Sequence, residues 1–171
     1  MFKVKIKSNL RTQIANKLRN TVDSKFISDV NAEVVGEAKR MIASGSSPVK
    51  TSTGERRFAK YKNEKNYPGQ KDRRLKPSRP VNLFLSGEML SFYKAMKVNG
   101  VRLSIGILPF APKKVKDRAV ANNEGTTNKT TGEVAIAARR FVPLAGESFT
   151  TSVMRKLKNV YAQRIKALLS K

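Results

Sequence analysis

A long basic stretch, residues 45–80, limits where this chain can draw its hydrophobic core from. Between Lys50 and Arg79 it holds eleven Lys and Arg residues against three acids, a net charge of +8, and proline or glycine interrupts it repeatedly. No apolar periodicity runs through it, which predicts a long extended loop. A loop of this length inside a compact domain is either functional or flexible until it binds a partner. We therefore expect most of the core to come from residues 1–44 and 81–171.

The part before this loop predicts a strand followed by helix. Residues 2–7 alternate apolar and basic side chains, which is the period-two pattern of a half-buried strand. Apolar residues later repeat every three or four positions, which predicts an amphipathic helix over 24–43. Helical spacing also precedes that stretch. The pattern leaves open either a separate short helix or one helix from 9 to 43 that bends near Val22.

The part after the loop mixes helical and strand patterns. In chain order the residues predict a short helix through Met89 and Tyr93 toward Met96, a strand over 101–107 after an Asn99-Gly100 turn, a helix over 113–123, a strand from Val134 toward Phe141, and a helix over 147–169. A chain of 171 residues is long enough for one domain with a substantial core. We therefore expect a single domain.

The composition excludes most enzyme chemistry. The chain has no cysteine and no histidine, which removes thiolate chemistry, zinc sites and nucleophile–histidine pairs. Asp29, Glu33 and Glu37 lie at i, i+4 and i+8 of the predicted helix, and we interpret them as a solvated face rather than a metal cluster. No apolar run approaches the ~20 residues that span a bilayer. We therefore predict no catalytic residue, no cofactor, no metal and no membrane contact, and interpret the protein as not an enzyme.

The net charge of +24 and the sequence pI near 10.8 predict attraction to polyanions. Nucleic acid and acidic protein neighbours in an assembly both fit, and charge alone does not decide between them. The aromatic residues Phe58, Tyr61 and Tyr67 among the cations either stack on bases or anchor the loop on protein. The candidate polyanion-binding or partner-binding residues are the loop cations Arg56, Arg57, Lys60, Lys62, Arg73, Arg74, Lys76 and Arg79.

Three short segments stand in a fixed order after the loop. They are PVNLFLSGEML at 80–90, ANNEG at 121–125 and ARRFVPL at 138–144. Ser86 can cap a helix whose first turn holds Glu88, where a carboxylate meets the positive end of the helix dipole. Gly125 lies where a helical pattern stops. Pro143 excludes a central strand and indicates a sheet edge or an exit from the sheet.

The order and spacing of these segments resemble the tail-completion and virion-morphogenesis family of tailed phages, over roughly residues 80–171. In that family the segments L-x-x-[ST]-G-x-[ML], A-x-x-x-x-x-G and A-R-x-F-h-x-L, with h apolar, precede a C-terminal helix. The residues at or beside the matching positions are Leu83, Ser86, Gly87, Met89, Gly125, Arg139, Arg140 and Phe141. The two arginines either contact phosphates or pair with an acid, within the fold or across an interface, and we favour a structural or interface role.

A fourth segment supports the resemblance. The stretch SPVKT at 47–51 is similar to the P-V-x-T segment that follows the long helix in related head–tail connector proteins. The long basic insertion that follows it departs from that pattern.

The resemblance implies an α+β fold in which a small antiparallel sheet packs against a long N-terminal helix and a C-terminal helix. It implies a structural virion protein in the neck, at the head-proximal end of the tail, made in the host cytoplasm and assembled as a ring, commonly of six copies. The implied partners are the portal or connector and the tail tube or tail terminator proteins, with packaged DNA as a further candidate and no small-molecule substrate. A cytoplasmic, sequence-independent nucleic-acid-binding protein of the ribosome-associated kind remains the alternative.

Overall fold

The computed structural model describes residues 21–50, 57–58, 87–98, 102–127, 129–132 and 134–170. The predicted strand over 2–7, the Asn99-Gly100 turn, all candidate loop cations except Arg57, and the motif residues Leu83 and Ser86 lie outside these residues. The predicted loop over 45–80 is described only at 45–50 and 57–58.

The predicted long helix is present, and we call it α1. It consists of the α-helix Ser24–Val30, the π-helical turn Asn31–Val35 and the α-helix Gly36–Ala43. Asp23 precedes it with an extended backbone, and its carboxylate accepts a hydrogen bond from the Phe26 N–H at 2.8 Å. This cap excludes a single continuous helix from 9 to 43. The predicted apolar stripe is buried, and its fully buried members are Phe26, Val30, Val34 and Ile42.

A glycine turn ends α1 at the position that the sequence predicts. Gly45 has φ 78°, its N–H donates to the Ile42 carbonyl at 3.0 Å, and the Ser46 N–H donates to the Met41 carbonyl at 2.8 Å. These two bonds form a Schellman motif. The Phe58 N–H donates to the Gly45 carbonyl at 2.8 Å, and the Phe58 ring is buried. Phe58 therefore anchors the basic stretch on protein and does not stack on bases.

A two-stranded hairpin follows a short helix. Helix α2 spans Glu88–Ser91, strand β2 spans Tyr93–Val98, and strand β3 spans Arg102–Ile107, antiparallel to β2. The predicted helix through Tyr93 and Met96 is therefore wrong beyond Ser91. The spacing of the apolar residues fits both structures, and pairing with β3 decides for a strand, in which Tyr93 and Ala95 face the core.

The remaining elements form two further strand pairs and two helices. They are β1 (Val49–Lys50), α3 (Lys113–Glu124), β4 (Thr126–Thr127), β5 (Val134–Ile136), β6 (Ser148–Phe149) and α4 (Thr151–Leu169). β4 pairs with β5, and β1 pairs with β6, both antiparallel.

Two of the predicted boundaries differ from the structure. The strand predicted from Val134 toward Phe141 ends at Ile136, because the chain then turns to bond the end of α3. The helix predicted over 147–169 starts at Thr151, because Ser148 and Phe149 pair with β1.

The core lies around α1, which packs against β2 on one side and against α4 on another. The rings of Phe26 in α1 and Tyr161 in α4 meet edge to face, with centroids 4.6 Å apart. Together the helices and the small antiparallel strand pairs confirm the α+β class. Within the described ranges, no helix combines the length and the apolar content required to cross a membrane.

Candidate functional site

Three of the four segments that carry the resemblance, at 47–51, 121–125 and 138–144, meet in one hydrogen-bonded junction. Its centre is Asn123 in the last turn of α3, whose side chain is 5% exposed. The Asn123 Oδ1 accepts hydrogen bonds from the N–H groups of Phe141 and Val142, both at 2.9 Å. One amide oxygen of the second segment therefore holds two backbone donors of the third.

Gly125 completes this contact because only a glycine fits there. Its backbone has φ 81° and ψ 171°, a region that residues with a side chain rarely adopt. A Cβ on Gly125 would lie 2.8 Å from the Ile136 carbonyl oxygen and 3.0 Å from the Ala138 nitrogen. The position predicted from the sequence as a helix end is also the point where two backbone segments come closest.

Arg140 is tied into the same junction. Its Nε lies 3.3 Å from Glu147 Oε1, its guanidinium donates to the Asn123 carbonyl, and its side chain is 22% exposed. Among the alternatives for this residue, the structure thus shows a pair with an acid within the fold.

Arg139 is 5% exposed. Its N–H donates to the Asn122 carbonyl at 2.6 Å, and its guanidinium donates to the Ala137 carbonyl at 3.4 Å. Neither arginine of the third segment presents an open guanidinium to a ligand.

Phe141 joins the hairpin to the stretch after α1. Its ring is fully buried against Tyr93, with centroids 5.8 Å apart, and its carbonyl accepts a hydrogen bond from the Tyr93 hydroxyl at 3.0 Å. Burial raises the pKa of the Tyr93 phenol far above its ordinary value. The hydroxyl of the buried Ser47 donates to the Arg140 carbonyl at 2.7 Å and accepts from the Val49 N–H at 3.0 Å. The fourth resembling segment therefore reaches the junction as well.

The first segment lies beside α3. Gly87 precedes α2 in the left-handed conformation, with φ 75° and no side-chain cap, and Met89 in α2 is buried. Glu88 pairs with Lys114 and Arg118 of α3 at 3.4 and 3.8 Å. Glu88 therefore connects two elements, in addition to its expected place in the first helical turn.

The acids of α1 do not form a metal site. Asp29 pairs with Lys25 and Glu37 pairs with Arg40 along the helix, and Glu33 pairs with Lys156 of α4. Over the ranges that the structure covers, no three acidic side chains are grouped so that they could hold an ion.

Asn31 is a residue that the sequence reasoning missed. It begins the π turn of α1, and its amide bonds the backbone of Ala95 in β2, where Oδ1 accepts from the N–H at 2.9 Å and Nδ2 donates to the carbonyl at 3.4 Å. A single asparagine beside the apolar stripe of α1 does not indicate, in the sequence alone, that Asn31 bonds the backbone of a strand. The π turn, which often marks functional positions in helices, is visible only in the structure.

The bonds from Asn31 to Ala95 show which backbone groups of the hairpin point outward, and within the described residues no strand pairs with the opposite edge. Because the backbone groups of Ala95 point away from β3, those of its partner Ile105 point away from β2. By alternation the same holds for Leu103 and Ile107. In the part of the chain that the structure describes, no backbone hydrogen bond reaches these three residues on that outer edge. We call this surface the β3 edge.

The hydrogen bonds and close contacts of the junction pack and position its backbone segments.

Comparison of the chain with protein-family models, curated proteins and solved structures gives no match. The candidate surfaces for a partner are the β3 edge and the exposed cations, of which Arg57 is the one described member of the predicted loop set.

Proposed function

We propose that this protein is a structural component of a tailed-phage virion, a tail-completion or neck protein that joins the tail to the portal-connector complex by assembling as a ring. The observation that carries the proposal is the junction. Two segments that resemble the phage family, at 121–125 and 138–144, supply its Asn123, Gly125, Arg140 and Phe141, and the distant segment at 47–51 supplies Ser47. Family motifs that specify a shared fold are expected to converge in this way.

The β3 edge offers one half of a ring interface. A ring needs a surface patch on one copy that meets a different patch on the next copy. An unprotected strand edge pairs with an extended segment of another chain through backbone hydrogen bonds. β3 contains no proline and one charge, Arg102, and no other strand among the described residues pairs with its outer edge, so in this part of the chain it lacks the usual protection of an edge. Backbone pairing also suits copies that each carry +24 and repel one another.

Native mass spectrometry of the purified protein tests ring assembly. Six copies of the 19.1 kDa chain give about 115 kDa. Because the Leu103 N–H points out of the hairpin, Leu103→Pro removes a donor from the β3 edge and leaves the β2–β3 ladder intact. Leu103→Ala is the matched control, since it removes the same side chain and keeps the donor. We expect rings from Leu103→Ala and monomers from Leu103→Pro; rings from both variants would refute this interface.

The virion assignment has its own test. Mass spectrometry of purified particles from the phage or prophage that carries the gene should detect the protein, and deletion of the gene should leave filled heads separate from tails. Normal joined particles after deletion would refute the proposal. The proposal includes no catalytic step, so the protein should not cleave DNA with Mg²⁺ or Mn²⁺ present.

A further inference from the structure

The cations of α4 fall into two groups that face opposite ways. Lys156 and Arg164 turn toward α1, where they pair with Glu33 at 3.0 Å and with Asp23. Arg155, Lys158 and Lys166 are exposed, and none of the three forms an ion pair within the ranges described. The inward charges are therefore neutralised by the fold, whereas the outward charges have no acidic partner among the described residues.

The outward group forms one surface, which we call the α4 face. At about 100° per residue, Arg155, Lys158 and Lys166 lie within an arc of about 80° and span about 16 Å along the helix axis. Asn159, Ala162 and Gln163 are exposed between them. From Ser148 to Lys171 the sequence contains no acid, so the helix itself supplies nothing to balance the charge.

The chemistry of the α4 face favours a nucleic-acid backbone over a protein. Protein interfaces are centred on buried aromatic or large apolar anchors. The α4 face offers cations, amides and one alanine, with its only exposed large apolar residue, Leu169, at the end of the helix. Polar and strongly positive surfaces are typical of proteins that contact phosphates.

A duplex fits this face better than a single strand does. Single-strand binding relies on aromatic side chains that stack on bases. The aromatic residue of α4, Tyr161, packs against Phe26 in the core and is not available for stacking. A span of about 16 Å matches about five phosphate steps along one strand of B-form DNA.

We propose that the α4 face binds the phosphate backbone of double-stranded DNA without sequence preference. This inference does not depend on the proposed function, because it rests on the charge and exposure of α4 alone. The three cations contact phosphates, and the amides of Asn159 and Gln163 donate to neighbouring phosphate oxygens. The predicted loop cations are not required for this contact.

A triple variant, Arg155→Gln, Lys158→Gln and Lys166→Gln, tests the proposal. Fluorescence anisotropy with a labelled 20-base-pair duplex of arbitrary sequence measures affinity between 0.05 and 0.2 M salt. Three lost phosphate contacts should reduce the log–log salt slope by about 2.7. Over this salt range the affinity of the parent protein should fall about 40-fold more than that of the variant.

A second triple variant with the same charge change is the control. It carries Lys97→Gln, Lys113→Gln and Lys129→Gln, three exposed cations on β2, on α3 and between β4 and β5. We expect its salt slope to stay within about one unit of the parent slope, since scattered charges do not form a single phosphate contact surface. Circular dichroism should show the same helix content for all three proteins.

Two results would overturn the proposal. Equal slope changes in the two triple variants would show that DNA responds to total charge rather than to the α4 face. Competition by polyglutamate, at equal charge concentration, as effective as competition by the duplex would identify an acidic protein chain as an equally good occupant. A duplex that competes at least tenfold better, with the slope change confined to the α4 variant, supports the proposal.

Discussion

Gly125→Ala is the substitution with the largest effect that the junction predicts. The residue lies in a region of φ and ψ that is open almost only to glycine, which costs an alanine about 1–3 kcal/mol. The new Cβ would also lie 2.8 Å from a backbone oxygen and 3.0 Å from a backbone nitrogen, so the chain must shift, as in an overpacked core, at about 1–3 kcal/mol. The loss of unfolded-state entropy returns about 0.5 kcal/mol.

The sum predicts a loss of about 1.5–5.5 kcal/mol in the free energy of unfolding. At about 2–4 °C per kcal/mol for a chain of this size, the midpoint of thermal unfolding should fall by about 3–22 °C. Urea denaturation followed by circular dichroism measures the free energy, and a thermal scan gives the midpoint.

Gly132→Ala is the matched control. Gly132 also has a positive φ, 69°, but a Cβ there meets no atom of the described residues within 4 Å. The Gly132→Ala variant should lose about 1–2 kcal/mol in the free energy of unfolding, which is the cost of a left-handed backbone for an alanine. If Gly125→Ala is no less stable than Gly132→Ala, the close approach of α3 to the segment after β5 does not constrain the fold, and the junction is not the structural centre described above.

Three further predictions concern the junction and the charge. Asn123→Ala should lose about 2–3 kcal/mol in urea denaturation, because it leaves the N–H groups of Phe141 and Val142 without their acceptor, whereas Asn122→Ala should stay within about 0.5 kcal/mol. Tyr93→Phe should lose about 1–2 kcal/mol near pH 7. Burial raises the pKa of the Tyr93 phenol in the folded state, so the phenol stabilises the fold at pH values below its unfolded-state pKa near 10. This stabilisation is lost as the pH rises above 10. The free energy of unfolding of the parent should therefore fall more steeply above pH 10 than that of Tyr93→Phe. Thermal stability of the parent should rise between 0.01 and 0.1 M salt, because the Debye length shrinks from about 30 to about 10 Å and screens the repulsion of a chain with net charge +24; a midpoint that falls with salt would contradict this.

Elements with one dominant period could be predicted from the sequence. α1 and α3 fall within a residue of the expected 24–43 and 113–123, and β3 lies within 101–107. Each has an apolar repeat that agrees with only one structure, and caps or glycines mark the ends. The stretch from Tyr93 to Met96 carries apolar residues at a spacing that fits both a helix and a strand. Its pairing with β3 is a contact with distant residues, which a local pattern does not contain.

In the candidate site too, some residues could be predicted from local sequence and others depend on contacts between distant parts of the chain. Gly125, Arg140 and Phe141 were singled out from their segments, and the structure brings them together. Asn123 stands in one of those segments, but an asparagine near a helix end is ordinary, and its two backbone partners lie 18 and 19 residues away. Asn31 has no local signal at all, because its bond to Ala95 depends on how α1 crosses the hairpin. The roles of side chains that bond backbone across elements follow from packing, and packing was not visible in the sequence.

The distribution of acids indicates that the excess positive charge is not there for the fold. Six of the eight acids among the described residues form ion pairs, and four of these, Asp23, Glu33, Glu88 and Glu147, connect different elements or segments. Within the described residues the fold thus uses its few acids where they position helices, and Arg155, Lys158 and Lys166 have no counter-charge there on one helix face. Uncompensated like charges oppose compaction, so a chain gains nothing in stability by keeping them. A polyanionic partner that binds the folded state would reverse that cost, since binding stabilises the state that binds. We therefore propose that the excess charge serves an interface whose complementary half lies on another molecule.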